Sequence, residues 1–317
     1  MKQFSIKIVV FVLILWVILF LLDCFYTRYS STHKNLCQKP DWILNHKQQK
    51  FDFAFLGNSR AFNVIDICLI EKKLNKTGIN ISMTGANFSE MYLILDQFVK
   101  LGNEVSNLVL EVDLMTFDSK KVGFELHSPN YLNLFNDTTV LEVYEHNIPK
   151  YKFLIWKYLP FVRYMEYSNK FVLYKMLKGG FECNINPMLD TTKGSEFLYI
   201  EKFGKAFPKQ YWRIDSADVK YFQKIIQFAR RENINLILYN APFYQQYYSN
   251  QLNNKGVNKY ILKQASVYQI PYFDFNKNNF YLCTSKDYFF DETHLNYKGS
   301  RELSSVLADS INLILNK

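Results

Sequence analysis

At 317 residues the chain is long enough for one sizeable α/β domain with an elaboration, or for two modest domains, and too short for several. With 49% apolar residues, including 28 Phe and 23 Tyr, it is not a disordered chain and must bury a packed core. A formal charge of +9 suits a nucleic acid, a membrane surface or an acidic glycan alike and selects none of them.

In chain order, the first element is an unbroken apolar run from Ile8 to Leu22, with Lys2 and Lys7 before it and Asp23 after it. Phe4, Ile6, the stem of Lys7, Phe25 and Tyr26 extend it to the roughly 20 residues of a membrane span. No A-x-A-like site follows, and Leu21-Leu22-Asp23-Cys24 departs from a lipoprotein box, so residues 1–26 read as an uncleaved single-pass anchor rather than a signal peptide. Arg28, Lys34 and Lys39 weaken the Lys/Arg asymmetry that fixes topology. The expected arrangement is N-inside with the following domain on the external or periplasmic side. Residues 27–50 are polar and basic and read as a juxtamembrane stalk.

A domain is expected over residues 51–317. Phe51 to Leu56 reads as a short strand, broken by Gly57-Asn58-Ser59-Arg60 before a helical pattern with Ile67, Ile70 and Leu74. Ile79 to Met83 reads as a second strand, ending at Thr84-Gly85-Ala86-Asn87 before a helix with Met91, Leu95, Phe98 and Val99. Further strands are expected at Asn107–Val112, Ile234–Tyr239 and Tyr272–Phe275, and a closing helix over about Asn296–Leu315. Short, nearly all-apolar strands separated by helices predict a doubly wound, three-layer α/β sandwich around a five-stranded parallel sheet, with its site at the carboxyl ends of the strands. An insertion at about 117–215 is too long for a plain connection. Its stretch from Tyr151 to Lys178 interleaves lysines with aromatics, which fits a cap, an element lying on a membrane, or a helical subdomain with a solvated basic face. No OB, RRM or helix-turn-helix pattern accompanies it, so no nucleic-acid partner is expected.

The five cysteines, Cys24, Cys37, Cys68, Cys183 and Cys283, form no CxxC or Cys/His cluster, and His33, His46, His127 and His146 lack ligand spacing, so no metal is expected. One bridge among the last four cysteines is compatible with a location outside the cytoplasm. No Walker A or G-x-G-x-x-G occurs, and no cofactor is expected.

A serine nucleophile needs an exposed hydroxyl on a sharp turn, an imidazole to take its proton and a carboxylate to fix the imidazole tautomer. Ser59 follows a glycine turn at a strand end, and in Asp291-Glu292-Thr293-His294 the carboxylate and imidazole are three residues apart. Taken singly, Ser59 reads as a helix cap, and Asp291-x-x-His294 as a surface turn with Asp291 capping the closing helix. Together, Gly57-Asn58-Ser59, Gly85-Ala86-Asn87 and Asp291-Glu292-Thr293-His294-Leu295-Asn296 resemble, in order and placement, the successive blocks of the SGNH (GDSL-like) hydrolase superfamily, most closely its membrane-anchored DltD-like and alginate O-acetylation-like members. The resemblance implies a flavodoxin-like SGNH fold, Ser59 as nucleophile, His294 as general base and acid, and Asp291 as its orienting group. It also implies an oxyanion hole of the Ser59 and Gly85 amides with Asn87. The implied activity is that of a serine esterase or O-acyltransferase on acyl, by default acetyl, esters of a cell-envelope glycan or glycolipid, supplied by a membrane-bound acyl-donor protein where it transfers. The third block of the superfamily is often G-x-N-D, whereas this chain reads Glu111-Val112-Asp113-Leu114. Loss of one oxyanion donor costs about a hundredfold or more in turnover, so the competing expectation is a catalytically inactive binding or assembly factor of the envelope. Arg60 is expected in a surface ion pair, and Glu90 and Glu292 are expected to face solvent.

Overall fold

The computed structural model describes residues 2–32, 38–124, 126–165, 187–200, 202–203, 207–277 and 280–315. The chain forms two compact units, Met1–Cys37 with His127–Asn184, and Gln38–Leu126 with Ile185–Lys317.

In the first unit, helix α1 runs from Lys2 to Thr32, so the helix continues through the apolar run and into the residues expected to begin a stalk. Side chains from Phe4 to Leu22 project outward almost without cover, and the helix is long and apolar enough to cross a membrane. The second unit begins with a short helix, α2 (Lys39–Ile43), whose Pro40, Trp42 and Ile43 are buried, so its core starts before the first strand.

The second unit then alternates strand and helix. β1 (Lys50–Leu56) leads into α3 (Ser59–Phe62) and α4 (Ile67–Leu74), and β2 (Gly78–Asn80) into α5 (Phe88–Lys100). β3 (Glu104–Glu111) leads through a 3-10 turn at Thr116–Asp118 into α6 (Ser119–Val122). Among the described residues, the first unit then contributes α7 (Thr138–Asn147), α8 (Lys150–Tyr158) and α9 (Val162–Met165). The chain returns to the second unit with β4 (Gln210–Tyr211), α10 (Ser216–Arg231), β5 (Asn235–Asn240), β6 (Gln251–Leu252), α11 (Asn254–Tyr268), β7 (Tyr272–Asp274) and α12 (Tyr297–Leu315). The segment expected as one insertion at 117–215 therefore divides between the units. Its first residues belong to the sheet unit, where Phe117 is buried against Phe88 and Phe222. Lys170, Lys175, Lys178, Cys37 and Cys183 lie outside the described residues, and Cys68 and Cys283 are free thiols.

The main sheet has the order β2-β1-β3-β5-β7, parallel throughout. This is the flavodoxin-like doubly wound order, in which the chain leaves β1 to one side for β2 and returns on the other side for β3. Phe53, Ala54, Phe55 and Leu56 of β1 and Leu108, Val109 and Leu110 of β3 are buried, as strands covered on both faces require. On one face α5 packs with α10 through a cluster of aromatic rings, Phe88, Tyr92, Tyr221, Phe222 and Phe228. On the other, α4 packs with α12 through Ile67, Ile70, Leu303, Leu307 and Ile311. The expected three-layer sandwich is the observed one. β4 and β6 form a separate two-stranded sheet beside the buried Trp212, whose Nε1 donates to Gln251 Oε1 at 2.9 Å.

β2 is shorter than the expected Ile79–Met83. Asn80 turns its side chain inward, donating to Ala61 O and Ser195 Oγ at 3.0 Å each, and regular pairing stops there. The extended path persists, since Ile81 N donates to Phe55 O and Met83 N to Gly57 O, and these bonds carry the Gly85 turn to the end of β1.

Candidate active site

The turn after β1 is made by two local features. Gly57 has no room for a side chain: a Cβ there would lie 2.7 Å from Ala61 Cβ and 2.8 Å from Glu111 Cβ, because the ends of β1 and β3 approach closely. Asn58 then caps α3, its side-chain oxygen accepting from Arg60 N at 2.7 Å. Ser59 becomes the first residue of α3, at the carboxyl edge of the sheet, 8% exposed. It is not itself the cap.

At the other end of the unit, the turn before α12 closes on itself. Phe290 N donates to His294 O at 2.9 Å, and Phe289 pairs with Leu295 across it. Asp291 Oδ1 accepts from the amides of Thr293 and His294 at 2.8 Å each and from Thr293 Oγ1 at 3.0 Å. The carboxylate is thereby held by its own loop. Asn296, not Asp291, caps α12, accepting from Gly299 N at 3.0 Å, which leaves Asp291 turned toward the imidazole.

The structure brings Ser59, His294 and Asp291 together. Ser59 Oγ lies 2.8 Å from His294 Nε2, and His294 Nδ1 lies 2.9 Å and 3.0 Å from the two Asp291 oxygens. A carboxylate at Nδ1 fixes the proton on that nitrogen, so Nε2 is the acceptor for the serine hydroxyl. Burial works to raise the Asp291 carboxyl, but the hydrogen bond and charge of His294, with the two loop amides, outweigh it and hold the group down at about 2. Asp291 is an anion throughout the neutral range, and the two side chains of the pair are about a fifth exposed, at 22% and 23%.

The three groups expected at the oxyanion are placed as follows. The Ser59 and Gly85 amides donate to no acceptor among the described residues, and Gly85 adopts a φ of 72°, a left-handed turn that suits glycine. Asn87 caps α5, its side-chain oxygen accepting from Glu90 N at 3.0 Å and Ser89 Oγ at 2.6 Å. The backbone groups are available for an oxyanion, and the amide oxygen of Asn87 is committed to the helix.

Two sequence expectations are overturned. Glu90 is wholly buried. Arg60 is no surface residue either: it is 1% exposed, with Nε 3.0 Å from Asp113 Oδ2 and 3.5 Å from Glu111 Oε1, and both carboxyls are fully buried. Its Nη1 donates to Thr293 O at 3.2 Å, its Nη2 donates to Ala241 O, and its guanidinium carbon sits 3.2 Å from the centre of the Phe243 ring. Burial, and then the neighbouring Asp113 charge, push the Glu111 carboxyl well above the ordinary carboxylate range. The strands after which these groups stand, β1 and β3, flank the point where the winding of the sheet reverses, the place where such sheets put their sites. The available signal was the triplet of charges itself, Arg60 after β1 with Glu111 and Asp113 at the end of the adjoining strand.

No family model matches the chain, and no curated protein sequence matches it. Among solved structures it is similar to a protein described as lipolytic, of the G-D-S-L family, from Desulfitobacterium hafniense DCB-2, at 8% identity and a TM-score of 0.42, covering 83% of this chain and 99% of that one. It is also similar to a protein described as an acylhydrolase from Bacteroides fragilis NCTC 9343, at 11% identity and a TM-score of 0.41, covering 84% of this chain and 88% of that one. Likenesses this distant carry no weight for function, which has to be read from the side chains themselves.

Proposed function

We propose that the chain is a membrane-anchored serine esterase or O-acyltransferase of the SGNH type. The observation that supports this reading is the continuous hydrogen-bonded relay from Ser59 Oγ through His294 to Asp291.

In this scheme His294 Nε2 takes the Ser59 proton as Oγ attacks an acyl carbonyl. The oxyanion that forms is met by the amides of Ser59 and Gly85, with Asn87 assisting, and Asp291 stabilises the imidazolium. Collapse of the intermediate expels the alkoxide, which receives the proton from His294, and leaves the acyl group on Ser59. Water or a sugar hydroxyl, deprotonated by His294, then attacks the acyl-enzyme and restores Ser59.

The α1 helix favours a single-pass anchor, with the second unit on the external or periplasmic side. There the substrate class is the acyl, by default acetyl, ester of a cell-envelope glycan or glycolipid, and a membrane-bound acyl-donor protein is the partner where the reaction is transfer. The assay is turnover of p-nitrophenyl acetate by the full chain in detergent, with and without an oligosaccharide acceptor. Ester cleavage abolished by Ser59→Ala supports the reading, and an acylated oligosaccharide selects transfer over hydrolysis. Cleavage unchanged in Ser59→Ala sinks it.

One observation favours a second reading, a catalytically inactive envelope binding or assembly factor: where an asparagine donor is expected, Asp113 faces Arg60. On that reading neither cleavage nor transfer is detectable with any ester.

A further inference from the structure

The first unit carries a surface that the proposed chemistry does not use. The core of its helical part is aromatic, with Phe135 packed on Tyr144, Phe153 and Trp156. Phe153 and Trp156 are the inward face of α8. The opposite stripe, at the i, i+3, i+4, i+7 spacing of one helix face, is Tyr151, Leu154, Ile155 and Tyr158, exposed to 69%, 41%, 40% and 65%. Leu159, just past the end of α8, and Met165 of α9 are exposed as well, at 46% and 58%. An apolar face of this extent on a short helix calls for an occupant. Lys150, Lys152 and Lys157 flank it, with the Lys157 ammonium 5.6 Å from the Tyr158 ring centre and the Lys152 ammonium 4.9 Å from that of Trp156.

What identifies the occupant is where this helix is tied. Asp23 is the first charged residue after the apolar run of α1, and a charge is costly inside hydrocarbon, so Asp23 marks the level at which a membrane-crossing α1 meets the headgroups. That same carboxylate holds the segment after α8. Asp23 accepts from Phe161 N at 2.6 Å and makes two contacts of 2.6 Å with the Arg163 guanidinium, both side chains being largely buried. Thr27, one turn further along α1, bonds Tyr164 at 2.7 Å. Tyr158 is three residues from Phe161, which places the end of α8 within about 10 Å of the headgroup level. Tyrosines with aliphatic side chains, flanked by lysines whose stems cover apolar surface, have the composition of an interfacial helix.

We propose that α8 lies in the headgroup layer of the membrane crossed by α1, with its Tyr151, Leu154, Ile155 and Tyr158 face among the lipid chains and Lys150, Lys152 and Lys157 on the phosphates of anionic lipid. This rests on the reading of α1 as an anchor, and the test separates the two. A photoreactive benzoylphenylalanine replaces Tyr158, Tyr151, Ile14 of α1, or the similarly exposed Tyr211 and Tyr281 of the second unit, one at a time in the full chain. The variants are reconstituted in phosphatidylcholine vesicles with and without phosphatidylglycerol. Because all five positions are exposed, the probe leaves the cores intact.

The expected result is lipid adducts at Ile14, Tyr151 and Tyr158 in several-fold excess over Tyr211 and Tyr281. Phosphatidylglycerol should be enriched in the Tyr158 adduct, and that enrichment should fall several-fold when Lys150, Lys152 and Lys157 are all changed to Gln. Adducts at Ile14 with only the Tyr211 level at Tyr151 and Tyr158 would overturn the placement of α8 while leaving the anchor standing. A background level at Ile14 as well would remove the anchor and the proposal together. Adducts from Tyr158 to a second copy of the chain in place of lipid would also overturn it.

Discussion

Arg60, the residue after Ser59, donates through Nη1 to the carbonyl of Thr293, the residue before His294, at 3.2 Å. The two turns that carry the nucleophile and the base come from opposite ends of the second unit, and this guanidinium ties their backbones together from beneath. It is itself fixed by Asp113, Glu111 and the Ala241 carbonyl. A buried cation therefore spans both halves of the relay, with Asp113 as one of its anchors.

Arg60→Ala leaves two carboxyls buried without their cation, and should destabilise the fold by roughly 3–5 kcal/mol. Arg60→Lys keeps the charge but loses the planar fork, so the contact to Thr293 should go while that to Asp113 persists. The expected signature of Arg60→Lys is a folded protein whose kcat falls more than its KM changes, measured beside urea unfolding. A stable protein with unchanged kcat would show that the tie positions nothing.

Asp291 gives a pH dependence of known sign. Held down at about 2, below the 3.8 of an ordinary aspartate, it stabilises the fold above about pH 4, and that contribution disappears as pH falls toward 2. The magnitude is on the order of 2 kcal/mol. Urea midpoints taken between pH 7 and pH 2.5 should fall on the acid side less steeply in Asp291→Asn than in the wild type. The same variant should lower kcat by about 10⁴-fold at neutral pH, because the imidazole loses the partner that fixes its tautomer. A variant with normal turnover would mean that Asp291 only braces its loop.

Gly57 and Gly85 should respond differently to alanine. At Gly57 the new methyl meets Ala61 and Glu111 below 3 Å, which should cost about 1–3 kcal/mol and displace Ser59. At Gly85 nothing lies within 4 Å, and only the left-handed φ opposes the change, at roughly 1–2 kcal/mol. Kinetics normalised to folded protein should therefore show the larger kcat loss in Gly57→Ala, since misplacing a reacting group by about 1 Å can cost 10²-fold. Equal kcat values would remove the argument for the tight β1 to β3 approach.

The strands were legible because burial on both faces makes them apolar runs, as in Phe53 to Leu56 and Leu108 to Leu110. Ser59, Asp291 and His294 were legible as candidates only together, through the order and placement of their blocks at strand ends, since each alone reads as a cap or a surface turn. Arg60 and Glu90 were not. Charged side chains are so seldom buried that each alone reads as surface, and what buries Arg60 is a pair of acids on the adjoining strand, a contact that only the sheet order creates. The extent of α1 has no such signal: past Leu22 the apolar run stops, yet the helix continues to Thr32, with Asp23 and Thr27 bonding the Phe161 to Tyr164 segment far away in sequence.

His294, oriented by Asp291, would make Ser59 a nucleophile. The most direct measurement is reaction of the folded full chain with a fluorophosphonate probe, followed by mapping of the modified peptide. The expected result is a single phosphonylated residue, Ser59, no labelling of Ser59→Ala, and labelling of His294→Ala slowed by roughly 10³-fold or more. Absence of label on the wild type, or equal labelling of Ser59→Ala, would contradict it.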